Sequence, residues 1–195
     1  MHNKTIFGAL GALLLAGCVS IGGSTEPPEQ LLTLTASSTA AAGSTASGDI
    51  STALAVSEPA VPQRLNVVRV PVQVDSSSLA YLQDAVWVEK PARLFQRVLS
   101  ETIRARGGRL VVGGGDLEFA APTQLSGQLL AMDYIPARSA VIVQYEAVLR
   151  LPDGTVRTQR FESEITGVAP TALSVAPALN SAANDVAAQV ADWVG

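Results

Sequence analysis

The sequence predicts an α+β domain in which a mostly antiparallel sheet carries two amphipathic helices packed on one of its faces. Three observations predict this fold class. Runs rich in β-branched residues recur along the chain, two segments place apolar residues three and four positions apart, and Asp153-Gly154 joins two long strand-like segments. The spacing is typical of helices with one buried stripe, and Asp-Gly is typical of a hairpin turn. Such helices bury their stripes most economically by packing together on a sheet.

The N-terminal part of the domain is predicted to contain one strand followed by a disordered insertion. Residues 30–35 form a short apolar run suited to a first strand. Residues 36–62 consist almost wholly of Ala, Ser, Thr, Gly and Pro, a composition that buries too little apolar surface to become ordered. A loop of this length in a compact domain is either functional or disordered, and the composition favours disorder.

Strand signals resume after the insertion. Residues 65–74 are rich in valine, and Pro71 marks a sheet edge or a strand end because proline cannot donate to the ladder. A short hairpin is predicted to turn at Gln83-Asp84, between residues 79–82 and 85–88. Further strands are predicted over residues 109–112, 124–134, 139–151 and 156–166, the last with one solvated face.

Two helices are predicted, one in the middle of the chain and one at its end. Pro91 is suited to the first position of the first helix, and Gly107-Gly108 stop that helix. Its buried stripe is Leu94, Phe95, Val98, Leu99 and Ile103. The stripe of the second helix is Leu179, Ala182, Ala183, Val186, Val190, Trp193 and Val194.

The start of the chain is predicted to direct export. Residues 1–17 combine Lys4 with an apolar run over residues 6–16, which is shorter than the about 20 residues needed to span a bilayer. This pattern is that of a signal peptide. Leu15-Ala16-Gly17-Cys18 resembles the lipobox of bacterial lipoproteins, in which the cysteine thiol receives lipid before the chain is cleaved ahead of it.

Cys18 is therefore the predicted lipidation site, facing the periplasm. Residues 18–29 are predicted to form a flexible tether that leads to a domain over residues 30–195. Two or three acyl chains on one residue anchor a protein stably. By similarity to enterobacterial sorting rules, Val19 in place of an aspartate favours the outer membrane.

The composition excludes several classes of function. Cys18 is the only cysteine, so no disulfide forms, and His2 is the only histidine and lies in the signal peptide. The mature chain thus lacks the commonest metal ligands and the commonest general base, and we predict no catalytic residue, no cofactor and no metal site. The chain carries 17 acidic against 13 basic residues, which gives no footprint for nucleic acid.

Two features could form a partner or lipid interface. Trp87 either packs over the start of the first helix or presents a surface to a partner, and packing is favoured. The uncharged segment over residues 134–145 carries apolar residues on both strand faces, so Ile142, together with Val148, is either covered by a second subunit or exposed for binding. With Tyr81, these residues are the candidate interface.

The segment from Val70-Pro71 through residues 79–91 to Leu94-Phe95 resembles the ABC-type transport auxiliary lipoprotein family. Its members show a Val-x-Val-Pro strand, an Ile/Leu-x-Tyr strand, a tryptophan followed by a polar segment with proline, and a leucine-rich helix. The closing helix with Leu179-Asn180 agrees as well, whereas the tyrosines usual near the family's first strand are absent here.

This resemblance implies an auxiliary component of an MCE-type ABC transport system, which moves phospholipids or other lipids between the two membranes. The implied role is docking or conduit, with an MCE-domain protein as partner and ATP hydrolysis on another chain. Self-association and contact with phospholipid stay open. The alternative is an outer-membrane assembly or envelope-integrity lipoprotein that binds a protein or polysaccharide machine without moving lipid.

Overall fold

The computed structural model describes residues 30–106, 109–113 and 120–195. The predicted signal peptide, Cys18 and the tether lie outside the described residues. The same is true of the Gly107-Gly108 helix stop.

The two predicted helices are confirmed. Helix α1 spans Pro91–Ala105 with proline at its start, and helix α2 spans Ala172–Val194. Every predicted stripe residue of α1 is buried, as are all those of α2 except Trp193, which is partly buried against the core. The stripes pack against each other and against the same side of the sheet, which leaves the arginine-rich face of α1 toward solvent.

The described residues form a seven-stranded sheet. The strands are β1 (Leu54–Val56), β2 (Arg69–Gln73), β3 (Leu79–Val86), β4 (Val111–Val112), β5 (Thr123–Ile135), β6 (Ala140–Arg150) and β7 (Val156–Thr166). Three neighbouring pairs are antiparallel, namely β2–β3, β5–β6 and β6–β7. Three others are parallel, namely β1–β4, β1–β5 and β2–β5. The α+β class holds, but the sheet is mixed, and the expectation of a mostly antiparallel sheet is not confirmed.

Strand β5 is the centre of this arrangement. One of its sides pairs with β6 along its whole length, from Gln124 to Ile135. The other side is shared by two short strands placed end to end. β1 pairs with residues 123–125, and β2 pairs at Tyr134, while a single bridge from Ala60 to Gln128 lies between them.

The predicted disorder of residues 36–62 is wrong for the part that forms β1. All three residues of β1 are buried, and Leu54 has no exposed surface. Gln96 of α1 donates a hydrogen bond from Nε2 to the carbonyl of Val56 at 2.8 Å. This strand lies between β4 and β5 and pairs with both of them in parallel. Residues 30–35, in contrast, form no strand beyond a single bridge from Leu32 to Trp87.

The predicted hairpin at Gln83-Asp84 is also wrong. Residues 79–86 form one continuous strand that passes through Asp84, whose φ is +54°. The hairpin instead joins β2 to β3, and Asp75 closes its turn by accepting a hydrogen bond from the Ser77 amide at 2.8 Å. Pro71 lies in a strand with neighbours on both sides, at a register shift where a missing donor is tolerated.

The two faces of the sheet differ in their surroundings. Along β6, alternate residues (Val141, Val143, Tyr145, Ala147 and Leu149) are buried against the helices. The residues between them are only half-buried, so the opposite face is open to solvent or a partner. Among the described residues, no helix has both the length and the apolarity required to cross a membrane.

Candidate interaction surfaces

The described part of the chain holds no group of three or more His, Cys, Asp or Glu side chains that could bind a metal ion. A recess of 960 Å³ lies between residues 40–52 and the end of α1. Hydroxyl groups and the Glu101–Arg104 ion pair line this recess. Arg109 also lines it, and one nitrogen of this residue, Nη1, is buried without a hydrogen-bond partner. The carboxylate in this lining, that of Glu101, lies 2.6 Å from Arg104 Nη1.

Trp87 is packed inside the domain and cannot present its ring to a partner. Its exposed fraction is 1%, and its indole Nε1 is buried without a hydrogen-bond partner. The backbone amide of Trp87 donates to the carbonyl of Val68 at 2.9 Å. Of the two interpretations of this residue, the structure supports packing, because the side chain belongs to the buried core. Its neighbour Val88, in contrast, is 49% exposed.

Tyr81 lies on β3, which is an edge strand. Apart from the single bridge from Trp87 to Leu32, β3 pairs only with β2 in the described chain. The Arg69 guanidinium carbon lies 5.1 Å from the centre of the half-buried Tyr81 ring. A groove runs from Tyr81 to the start of α2, where Leu173 is 80% exposed. An edge strand with an aromatic side chain and an adjacent apolar groove is suited to binding an extended segment of another protein.

Ile142 and Val148 lie on the face of β6 that points away from the helices, and both are half-buried. Charged pairs surround them, because Arg160 contacts Glu146 at 2.8 Å and Arg138 contacts Glu164 at 2.7 Å. Two strands, β2 and β5, separate Ile142 and Val148 from Tyr81. The structure therefore does not bring the predicted interface residues together into one surface.

An ion pair that the sequence did not suggest lies on β5. Arg64 Nη2 is 3.1 Å from Asp133 Oδ2 and donates to the carbonyl of Leu130 at 2.6 Å. The side chain of Asp133 is only 5% exposed, and this burial raises the pKa of its carboxyl, although the nearby Arg64 charge opposes the change. The only sign of this ion pair in the sequence is a single aspartate, Asp133, within a largely apolar strand.

Two asparagines of α2 bind the segment that leads into the domain from the tether. The Thr35 amide donates to Asn180 Oδ1 at 2.8 Å, and the Ser37 amide donates to Asn184 Oδ1 at 2.7 Å. Asn184 Nδ2 in turn donates to the Thr35 carbonyl at 2.9 Å. Leu34, between these contacts, is buried. We call these contacts the asparagine clamp.

The same segment is joined to the end of β3. The Leu32 amide donates to the Val86 carbonyl at 2.8 Å, and the Val88 amide donates to the Leu32 carbonyl at 2.8 Å. Exposed aliphatic side chains flank this junction, namely Leu31 (55% exposed), Val68 (39%) and Val88 (49%). We call these three residues the tether-proximal patch.

Comparison with known families gives a match over most of the chain. Residues 32–191 match the model of a family described as "ABC-type transport auxiliary lipoprotein component". A comparison with curated proteins gives no match.

Solved structures show the same fold in other proteins. The DUF330 protein XCC0632 from Xanthomonas campestris has a TM-score of 0.71 and 16% identity, over 85% of this chain and 94% of that one. An uncharacterized protein has a TM-score of 0.64 at 16% identity, over 74% and 92%. A chain of the PelC dodecamer from Paraburkholderia phytofirmans has a TM-score of 0.41 at 18% identity, over 75% and 91%, a score too low to indicate a shared fold.

Proposed function

Since this chain belongs to the family of ABC-type transport auxiliary lipoprotein components, we propose that it is the membrane-anchored auxiliary subunit of an MCE-type system that moves lipid between two membranes. In this proposal Cys18 carries the lipid, and the anchor lies in the outer membrane. ATP hydrolysis belongs to another chain, and this subunit acts by docking.

The partner surface that we propose is the free edge of β3. Tyr81 and the groove beside Leu173 supply apolar contacts, and backbone groups on the side of β3 that no described strand covers supply hydrogen bonds. A periplasmic MCE-domain protein that adds an extended segment to this edge would be held by the apolar contacts and by the backbone hydrogen bonds. The open edge of β3 is the single observation that carries this proposal, because native proteins normally cover or blunt such edges.

Crosslinking in cells tests the docking proposal. A photo-reactive amino acid at Tyr81 is expected to capture an MCE-domain protein encoded beside this chain. The same residue at Thr158, exposed on the opposite edge strand β7, is the matched control and is expected to capture no MCE-domain protein. Capture of the MCE-domain protein at both positions, or at neither, would contradict docking through β3.

Deletion of the gene tests lipid transport separately from docking. The deletion strain is expected to lose outer-membrane lipid asymmetry and to become sensitive to detergent. A captured partner that belongs instead to a polysaccharide or assembly machine, with lipid asymmetry intact, would favour the alternative role.

The lipid anchor is tested in the same deletion strain. A chain with Cys18→Ser is expected to fold but not to restore transport.

The face of β6 that carries Ile142 and Val148 is the proposed surface for self-association. Both side chains are half-buried rather than fully exposed, and the ion pairs around them hold the flanking side chains in place. A second copy on this face would leave β3 free for the MCE protein. Ile142→Glu is expected to reduce self-association and to leave crosslinking at Tyr81 unchanged.

A further inference from the structure

The tether-proximal patch is held together by the backbone. Trp87 donates to Val68, and Val88 donates to Leu32, so the segments that carry Val68, Val88 and Leu31 are hydrogen-bonded neighbours. Trp87, which these bonds join to Val68, is buried in the core, whereas Leu31, Val68 and Val88 are exposed. The patch is therefore a fixed feature of the surface, and exposed aliphatic clusters of this kind mark binding sites.

The position of the patch in the chain indicates what covers it. Leu31 lies two residues after the tether, residues 18–29, whose fully extended length is at most about 40 Å. The clamp and the bridge to Trp87 fix the point where the tether joins the domain. A surface at that point is the part of the domain that follows the tether most directly, so it meets the membrane while the tether is only partly extended. Because the tether keeps the domain close to the membrane, the patch meets the bilayer at a high effective concentration.

The charged residues around the patch do not favour anionic over neutral lipid headgroups. In the sequence around the patch residues, the cations are Arg69, Lys90, Arg93 and Arg97, and the anions are Glu26, Glu29, Asp84 and Glu89. Glu89 is paired with both Arg93 and Arg97, at 3.3 Å and 2.6 Å. With four charges of each sign, attraction to anionic headgroups is small, and the aliphatic side chains carry the contact.

We infer that the tether-proximal patch docks on the surface of the membrane that holds the lipid anchor, as a second, apolar contact with neutral phospholipid. This inference rests on the proposed lipidation of Cys18. It orients the domain so that α1 begins near the bilayer and β7, the opposite edge strand, lies away from it. The lipid on Cys18 and the tether-proximal patch would bind the same membrane, so each contact strengthens the other, as two lipid groups on one protein do.

The test uses the lipidated chain in phosphatidylcholine vesicles, with an environment-sensitive fluorophore on a single introduced cysteine. Val88→Cys reports on the patch, and Val156→Cys is the matched control, since it replaces an equally exposed valine on β7. We expect blue-shifted emission and quenching by spin-labelled lipid at position 88 and neither effect at position 156. Adding salt or anionic lipid is expected to leave the quenching unchanged, because the local charges cancel.

A second substitution tests whether the patch itself makes the contact. Leu31→Ser in the Val88→Cys chain is expected to remove most of the quenching, whereas Leu173→Ser, at an exposed leucine in the groove beside Tyr81, is expected to leave it. Equal signals at positions 88 and 156 would overturn the inference. A blue shift at position 88 without quenching by lipid would also overturn it, because it would mean that a second copy covers the patch.

The number of labels separates this inference from the proposal on which it rests. Cys18 is the sole native cysteine, so a lipidated chain with one introduced cysteine accepts one label. Two labels per chain, measured by mass spectrometry, would refute lipidation and with it the docking. One label without quenching at position 88 would refute only the docking of the patch.

Discussion

Arg64 and Asp133 bridge the interval between two strands that share one side of β5. The guanidinium of Arg64 lies 3.1 Å from the Asp133 carboxylate and donates to the Leu130 carbonyl, which no strand reaches between Ala60 and β2. A side chain thus takes the place of a missing ladder hydrogen bond. The Arg64 side chain thereby allows β1 and β2 to lie end to end while the part-buried Leu130 carbonyl keeps a hydrogen-bond partner.

We expect Arg64→Met to destabilise the domain by about 3 kcal/mol, because it leaves the buried Asp133 without its partner. Urea denaturation followed by circular dichroism measures this loss. Arg160→Ala is the matched control: it breaks an exposed pair with Glu146 and is expected to cost less than about 1 kcal/mol. Similar losses in the two variants would show that the Arg64 pair has no special role.

The cost of Arg64→Met is expected to depend on pH. Burial already raises the pKa of Asp133 above its ordinary value of 3.8, and removal of the Arg64 charge raises it further. A folded-state pKa above the unfolded value means that the protonated form favours folding, and this stability is lost as the pH rises through the folded pKa. The variant is therefore expected to lose least relative to the native chain near pH 4 and most at neutral pH. Unfolding curves at several pH values measure the difference, and a loss that grows on acidification would contradict the assignment.

Gly127→Ala is expected to disrupt the contact between β5 and β6. Gly127 has φ of +150°, and an added Cβ would lie 2.0 Å from the carbonyl oxygen of Glu146. The neighbouring backbone cannot move without breaking the ladder, so we expect a loss of about 3 kcal/mol or more. Gly154→Ala, in an open turn with φ of +85°, is the control and is expected to cost about 1 kcal/mol. Thermal unfolding of both variants distinguishes steric overlap from the strain of positive φ alone.

Asn184→Ala is expected to loosen the clamp without unfolding the domain. The substitution removes the hydrogen bonds from the Ser37 amide and to the Thr35 carbonyl, which contribute about 1 kcal/mol each. Hydrogen exchange at the amides of residues 33–37 is expected to accelerate, while exchange in β5 and β6 stays slow. Gln189→Ala, which removes an exposed contact of the same helix with β7, is the control. Unchanged exchange at Ser37 would show that Leu34 alone holds the segment.

Local sequence patterns predicted the helices. Most of the features that the sequence did not predict depend on contacts between residues far apart in the chain. The stripes of α1 and α2 repeat within one element, so the sequence alone reveals them. β1 consists of Leu54, Ala55 and Val56 inside a small-residue segment, and it is ordered only because β4 and β5 lie on either side of it. No local pattern contains that information.

The error at Asp84 has a related origin. Asp84 has the positive φ of a turn residue, yet pairing with β2 keeps β3 continuous through it. For Trp87 the sequence favoured packing, and the structure agrees, since the residue is buried in the core. The Arg64–Asp133 pair also joins residues far apart in sequence. The lipidation of Cys18 stays a prediction.

The Leu32 junction and the asparagine clamp together determine how a pull on the N-terminus would travel through the domain. Leu32 is bonded to Val86 and Val88 at the end of β3, and Thr35 and Ser37 are bonded to α2. Mechanical load from an anchor would therefore pass first to the end of β3 and then to the helix layer. The buried strand β1, which follows both attachments in the chain, would carry load only after the junction and the clamp had yielded.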